Sequence, residues 1–182
     1  MNPTGTLSVV PEPEAQRPSA PAETSLEQVE GWLGEALLEV LHRRPVTVTG
    51  VTISSLRVSP GDVYVAPAGA RTHGAAYADQ AVADGAVAVL TDREGAALCD
   101  AAGVPVLVVE RPRDVVGDLA ARIYGQPAHR MRMIAVTGTQ GKTTTTRLAE
   151  GALQAEGTRA AVIGTVGTRI DGSDVPSALT TP

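Results

Sequence analysis

Residues 131–157 have the sequence MRMIAVTGTQGKTTTTRLAEGALQAEG, in which a glycine-rich loop joins an apolar run to an amphipathic one. The apolar run 131–138 predicts a buried strand that ends in glycine, and residues 143–157 predict a helix closed by Gly157. The tight loop TQGK lies between these two elements. A glycine-rich loop between a strand and a helix is the context that a phosphate-binding loop requires, so this segment predicts a nucleotide site.

The loop holds the residue types that polyphosphate binding needs. Gly138 and Gly141 allow backbone N–H groups to turn inward, and the helix N-terminus adds a partial positive charge. Lys142 is the only lysine among 182 residues and can reach the β- and γ-phosphate oxygens, while the Thr143 hydroxyl can ligate Mg²⁺ bound to the nucleotide. We therefore predict catalytic roles for Lys142 and Thr143, with Thr143 as the metal ligand. The predicted nucleotide-binding residues are Gly138, Thr139, Gln140, Gly141, Lys142, Thr143 and Thr144, and the family resemblance described below implies that the nucleotide is ATP.

The spacing of this loop differs from the common Walker form. The pattern G-x-x-x-x-G-K-[ST] would place its first glycine at Val136, whereas the first glycine here is Gly138. The result is a shorter G-x-x-G-K-T loop, a form that belongs to particular ATPases. The alternative interpretation is an ordinary strand-to-helix turn that contains Gly-Lys by chance.

Upstream of the loop, predicted strands and helices alternate. Residues 1–23 hold five prolines and no apolar period, which predicts a disordered tail. Thr24 or Ser25 opens a capping box for a helix that runs through Leu41 and is ended by Pro45. Strands are predicted at 46–53, 63–66, 86–91, 104–110 and 158–165, helices at 73–85, 93–103 and 113–125, and a hairpin turn at Asp171-Gly172. The alternation predicts a mostly parallel α/β sheet, with a domain boundary within 125–130.

Composition argues against several classes of function. The formal net charge of -5 and the pI near 5.2 provide no basic face for a nucleic-acid partner. No apolar run approaches the roughly 18 residues of a membrane span, and the start of the chain lacks signal-peptide features, so we expect a cytoplasmic protein with no membrane partner.

Cys99 is the single cysteine and is predicted to be a buried structural thiol. His42, His73 and His129 lack zinc-binding spacing, and His73 is predicted to be a surface loop residue.

The segments VTGTQGKTTTT, VIGTVGT and LTTP, in that order, resemble the start of the central ATPase domain of the Mur ligases, which add amino acids to the peptidoglycan precursor. Upstream, SSLRVSPGDVYVAPAGARTHGAAYADQAVADGAVAVL is similar to that family's uridine-nucleotide domain. Within the family, the motifs are most similar to members that add the third peptide residue, diaminopimelate or lysine. The resemblance implies an α/β protein with a Mur ligase N-terminal UDP-substrate-binding domain at 24–127. It further implies the truncated beginning of a P-loop ATPase central domain at 128–182.

The resemblance also implies substrate-binding residues, each by its position in a matching motif. Ile53 and Ser55 would contact the uridine end of UDP-N-acetylmuramoyl-dipeptide, and Arg71 would face the diphosphate. The complete implied set is Ile53, Ser55, Ala70, Arg71, Thr72, Thr180 and Thr181, the last two facing the muramoyl group.

Three departures from the family pattern bear on activity. Ser54 and Leu56 replace the Asp and Arg of a DSR motif, and Gln140 replaces an Asn of the phosphate loop. No segment matches the family's further magnesium ligands or its amino-acid-binding domain. We therefore expect that this chain by itself is not a complete ligase.

The function that the resemblance implies is an ATP-dependent amide ligase of peptidoglycan precursor synthesis. It would add meso-diaminopimelate or lysine to UDP-N-acetylmuramoyl-L-alanyl-D-glutamate through an acyl phosphate, with ATP and Mg²⁺ as cofactors. Two alternatives stay open: a truncated, non-catalytic paralogue that binds UDP-muropeptide and ATP, and an unrelated P-loop NTPase. The NTPase would need regular Walker spacing and a nearby acidic strand, which the sequence lacks. A reading frame that continues past codon 182 would favour the ligase, whereas a stop codon there would favour the non-catalytic paralogue.

Overall fold

A computed structural model describes residues 17–18, 21–99 and 103–175. The chain divides between Arg132 and Met133 into two compact units. The domain boundary predicted between 127 and 128 lies a few residues earlier, and most of the predicted tail lies outside the described residues. Among the residues that the structure describes, no helix is long and apolar enough to cross a membrane.

The first unit is an α/β sheet with helices on both faces. Its elements are β1 (Thr24–Ser25), α1 (Leu26–Leu33), β2 (Leu37–Leu41), β3 (Thr47–Val48), β4 (Gly50–Thr52), β5 (Asp62–Ala66), α2 (Ala78–Ala83), β6 (Ala88–Thr91), α3 (Arg93–Ala96), β7 (Val106–Val109) and α4 (Pro112–Ile123). The sheet has the order β2-β7-β6-β5-β4, in which β4 to β7 are parallel and β2 is an antiparallel edge strand. β1 and β3 form a separate antiparallel pair. The predicted mostly parallel α/β sheet is therefore confirmed.

Alternate residues along the strands build two apolar cores, one on each face of the sheet. Val63 and Val65 pack in a cluster with side chains of α1 and α4, whereas Tyr64 and Ala66 pack in a cluster with side chains of α2. Successive side chains of a strand point to opposite faces, and helices cover both faces here. This double burial explains why the parallel strands are almost entirely apolar.

Helix α1 begins at the predicted capping box but ends earlier than expected. The Ser25 hydroxyl accepts the Gln28 N–H at 3.2 Å, and the Gln28 side-chain oxygen accepts the Ser25 N–H at 2.9 Å. The predicted continuation of this helix through Leu41 is wrong, because the chain leaves the helix at Gly34, whose φ is +50°. Residues Leu37–Leu41 instead pair with β7, which satisfies their backbone groups at the sheet edge.

The other predicted elements of this unit are present, most of them with shorter or slightly shifted bounds. The predicted strand 46–53 is divided into β3 and β4, and the predicted helix 73–85 is a 3₁₀ turn, Gly74–Tyr77, followed by α2. Helix α3 covers one turn of the predicted helix 93–103, of which residues 100–102 lie outside the described residues.

The second unit contains one long helix and a three-stranded antiparallel sheet. Its elements are α5 (Lys142–Ala155), β8 (Ala161–Gly164), β9 (Gly167–Ile170) and β10 (Ser173–Val175). The predicted hairpin turn is confirmed, with positive φ at Asp171 and Gly172. The prediction of a buried strand at 131–138 is wrong, because these residues form no strand and Met133 and Ile134 are each 71% exposed. The strands of the described part of this unit pair only with one another, so no described strand pairs with this segment.

Candidate functional site

The glycine-rich loop of the second unit leads directly into α5. Gly138 and Gly141 have φ values of +141° and +77°, which glycine adopts without the steric cost of a Cβ. A Cβ added at Gly141 would meet no atom within 4 Å, so the space beside it is open. The first N–H groups of α5 have no acceptor within the helix. The loop therefore offers backbone donors and a helix N-terminus to an anion.

The Lys142 side chain folds back over this loop. Its ammonium group donates a hydrogen bond to the carbonyl oxygen of Gly138, and both residues are exposed to solvent. The hydrogen bonds of α5 start with the Thr145 N–H, which donates to the Gly141 carbonyl at 2.9 Å. An exposed ammonium held by a neutral carbonyl can exchange that contact for phosphate oxygens, which form stronger, charge-assisted hydrogen bonds.

A magnesium ion fits this loop when a nucleotide brings most of the ligands. Among the described residues there is no group of three or more His, Cys, Asp or Glu side chains that could hold a metal ion. Thr143 is exposed in the first turn of α5, and its hydroxyl is an oxygen ligand of the type Mg²⁺ accepts. Because Mg²⁺ usually keeps waters and phosphate oxygens as ligands, one protein hydroxyl suits a nucleotide-bound ion.

Charged side chains fasten α5 to the hairpin formed by β9 and β10. Glu150 is buried, accepts a hydrogen bond from Arg169 at 3.2 Å, and lies 3.5 Å from the Arg147 guanidinium. Asp174 on β10 lies 3.5 Å from Arg169. Sequence reasoning missed this network. Its one local signal is the i,i+3 spacing of Arg147 and Glu150, which is common on exposed helix faces and does not indicate burial.

In the first unit, the predicted uridine contacts lie just after β4 and β5. Ile53 follows β4, Ser55 begins a 3₁₀ turn, and residues 70–72 lie in the loop after β5. β4 and β5 are parallel neighbours, so the segments that follow them both lie at the carboxyl ends of the strands. Ligands of open α/β sheets bind outside these carboxyl ends. The Tyr64 hydroxyl donates to the Gly74 carbonyl at 2.9 Å and ties the end of the second loop to β5.

His73 lies in a loop, as predicted, but its side chain is only 13% exposed, so it is not the surface residue that was expected. Its Nδ1 accepts the Ala75 N–H at 3.1 Å, and its Nε2 lies 3.0 Å from Asp92 Oδ1. An acceptor at Nδ1 places the proton of the neutral ring on Nε2, which then donates to Asp92. Asp92 also accepts the Gly95 N–H at 2.9 Å. Although partial burial acts in the opposite direction, the hydrogen bonds from Gly95 and His73 hold the pKa of Asp92 below its usual value.

Two further predicted positions have different outcomes. Thr180 and Thr181 lie outside the described residues. Cys99 is buried, as predicted, and burial, together with the negative charges of Asp79 and Asp92, raises its pKa to about 11. A thiol with this pKa is almost entirely protonated at neutral pH and is therefore a poor nucleophile.

Comparison with known families and proteins is consistent with this arrangement. Residues 47–124 match the model described as "Mur ligase family, catalytic domain", and residues 136–182 match "Mur ligase middle domain". The chain is 46% identical over 170 residues to UDP-N-acetylmuramoyl-L-alanyl-D-glutamate--2,6-diaminopimelate ligase of Streptomyces avermitilis, covering 93% of this chain and 33% of the relative. It is 50% identical over 135 residues to the ligase of the same name from Streptomyces coelicolor, covering 74% of this chain and 26% of the relative.

A solved structure shares the fold. MurF from Acinetobacter baumannii aligns with a TM-score of 0.58 at 23% identity, covering 74% of this chain and 28% of the other. The chain thus spans about a third or less of the length of the relatives it matches.

Proposed function

Because the chain belongs to the Mur ligase family, we propose that it serves in an ATP-dependent amide ligase of peptidoglycan precursor synthesis. The proposed reaction joins a third residue to UDP-N-acetylmuramoyl-L-alanyl-D-glutamate. The observation that carries the proposal is the open loop 138–141, which meets the N-terminus of α5 at Lys142. Two relatives that are named diaminopimelate ligases support meso-diaminopimelate over lysine as the added residue.

The residues of the loop account for the nucleotide half of this chemistry. When bound, ATP supplies the γ-phosphoryl group that converts the substrate carboxylate to an acyl phosphate, from which the incoming amine displaces phosphate. Backbone N–H groups of the loop and of the α5 N-terminus stabilise negative charge on the polyphosphate. Lys142, which bonds the Gly138 carbonyl in this structure, would bind phosphate oxygens, and the Thr143 hydroxyl would hold Mg²⁺. Glu150, through Arg169, keeps α5 fixed against the hairpin while the loop binds its ligand.

The first unit supplies the proposed site for the UDP-linked substrate. Ile53 and Ser55 would face the uridine, and residues 70–72 would approach the diphosphate from the neighbouring loop. Arg71 is exposed after β5, where a guanidinium can form a bidentate pair with a phosphate group. Thr180 and Thr181 remain proposed contacts of the muramoyl group.

Calorimetric titration of the 182-residue chain tests both the proposed nucleotide site and the proposed UDP-substrate site. We expect UDP-N-acetylmuramoyl-L-alanyl-D-glutamate to bind more tightly than UMP, and ATP to bind in the presence of Mg²⁺. Lys142→Ala should weaken ATP binding alone, and Arg71→Ala should weaken binding of the UDP-linked substrate alone, so each variant is the control for the other. ATP binding without any affinity for the UDP-linked substrate would refute the proposed substrate site, and no binding of either ligand would overturn the whole proposal.

A further inference from the structure

A buried carboxylate lies beneath the segment that joins β4 to β5, and its cationic partner comes from far away in the sequence. Asp62 is the first residue of β5, and its side chain has no exposed surface. Arg17 Nη2 donates to Asp62 Oδ2 at 2.6 Å, and Arg17 Nη1 donates to the other carboxylate oxygen. Among the described residues, Arg17 is the one cation paired with Asp62. A buried carboxylate without a partner is costly, so this pair requires Arg17 to stay in place.

The same two side chains hold the segment between the 3₁₀ turn and β5. Arg17 Nη2 also donates to the carbonyl of Arg57, the last residue of the 3₁₀ turn, at 3.2 Å. Asp62 Oδ2 accepts the Ser59 N–H at 2.9 Å, and the Asp62 N–H donates to the Ser59 carbonyl at 3.1 Å. The guanidinium and the carboxylate therefore bind backbone groups on both sides of Val58. The 3₁₀ turn they anchor begins at Ser55.

Gly50 on β4 provides the space for this pair. A Cβ at that position would collide with both the Asp62 carboxylate and the Arg17 guanidinium, and it would lie 3.2 Å from the Tyr124 hydroxyl. The Tyr124 hydroxyl also accepts the Val51 N–H at 3.3 Å. The Arg17–Asp62 pair thus occupies the space that the missing side chain of Gly50 leaves open.

We infer that Arg17 is a positioning residue for the UDP-substrate site, acting through Asp62 and the Arg57 carbonyl to hold the turn that carries Ser55. This inference rests on the proposed function of that turn. The turn has no charged side chain at Ser54, and the Leu56 side chain is 90% exposed. Among the described residues, the cation that pairs with Asp62 and also bonds the backbone of this turn is Arg17.

The test compares Arg17→Ala and Arg17→Lys with Arg43→Ala in the 182-residue chain. Arg43 is a matched control because its side chain is 62% exposed and its ion pair is with Glu30 on α1, outside the segment 55–62. Hydrogen exchange of the amides at 57–62 is the first measurement and needs no ligand. We expect about tenfold faster exchange in Arg17→Ala, a smaller change in Arg17→Lys, and none in Arg43→Ala, in line with the size of indirect couplings.

Affinity for UDP-N-acetylmuramoyl-L-alanyl-D-glutamate is the second measurement, taken where circular dichroism shows each variant folded. We expect about tenfold weaker binding in Arg17→Ala, partial recovery in Arg17→Lys, and unchanged ATP binding. If Arg17→Ala does not fold, Arg17→Lys carries the same comparison with a smaller expected effect. Exchange and affinity within twofold of the wild type in both variants would overturn the inference. Faster exchange in a chain that has no affinity for the ligand would overturn the proposed function and leave only a structural role for Arg17.

Discussion

Replacing Asp92 with alanine is expected to destabilise the first unit by about 2 kcal/mol, because one carboxylate supports two elements. It accepts the Gly95 N–H at the start of α3 and the hydrogen bond from His73 Nε2. Loss of a helix N-cap costs about 1 kcal/mol. The hydrogen bond to His73 contributes about 1 kcal/mol more, since the two side chains are 13% and 19% exposed and are incompletely screened by solvent. For a unit of this size, the thermal midpoint should fall by roughly 8 °C.

Circular dichroism melting at pH 7 measures this change. Asp92→Asn keeps an acceptor for the cap and should lose about half as much stability. Asp118→Ala is the control, because it removes an exposed carboxylate paired with Arg122 and should shift the midpoint by no more than about 1 °C. The folded-state pKa of Asp92 is lowered, so its contribution is present above the unfolded pKa of about 3.9 and is lost as pH falls through the folded value. The difference between wild type and Asp92→Ala should therefore shrink below about pH 4. Equal midpoints at pH 7 would refute this account of the carboxylate.

Three further predictions concern single residues. Lys142→Ala should lower the turnover of a ligase containing this chain by about a hundredfold or more, measured by phosphate release. Lys142→Arg should also lose activity, because a planar guanidinium does not replace a compact ammonium in a tight loop. Turnover of Lys142→Ala within about threefold of wild type would contradict the role of this lysine. Cys99 should resist thiol reagents in the native protein at pH 8 and react on unfolding in denaturant, because its pKa is about 11; rapid native labelling would contradict its burial. Leu107→Ala should cost about 2–5 kcal/mol in urea unfolding, since its side chain is fully buried in the sheet core, and a loss under about 1 kcal/mol would contradict that packing.

Local signals in the sequence correctly located several helix ends and turns. The capping box at Ser25, the positive-φ glycines after α2 and α5, and the Asp171-Gly172 turn act through the backbone within a few residues. The apolar strands alternating with helices likewise predicted a mostly parallel sheet. The glycine-rich loop before Lys142 was predicted to be a phosphate loop for the same reason: such a loop is assembled from consecutive residues.

Where two structures satisfy the same local pattern, only tertiary contacts decided between them. Leu37–Leu41 has apolar residues at a spacing that fits a helix, but its pairing with β7 makes it a strand. Residues 131–138 have the composition of a buried strand, yet a strand needs a hydrogen-bonding neighbour, and the described part of the second unit supplies none. Periodicity reports which faces are apolar and does not report which partner is present.

Contacts between residues that are far apart in the chain likewise could not be predicted from the sequence. Arg17 and Asp62 are 45 positions apart, and His73 and Asp92 are 19 apart, so no local spacing connects either pair. Arg17 lies in a proline-rich segment that composition alone interprets as disordered. Burial of a carboxylate beneath the loop after β4 makes that arginine part of the fold, because a charge removed from water requires a partner wherever the chain can supply one.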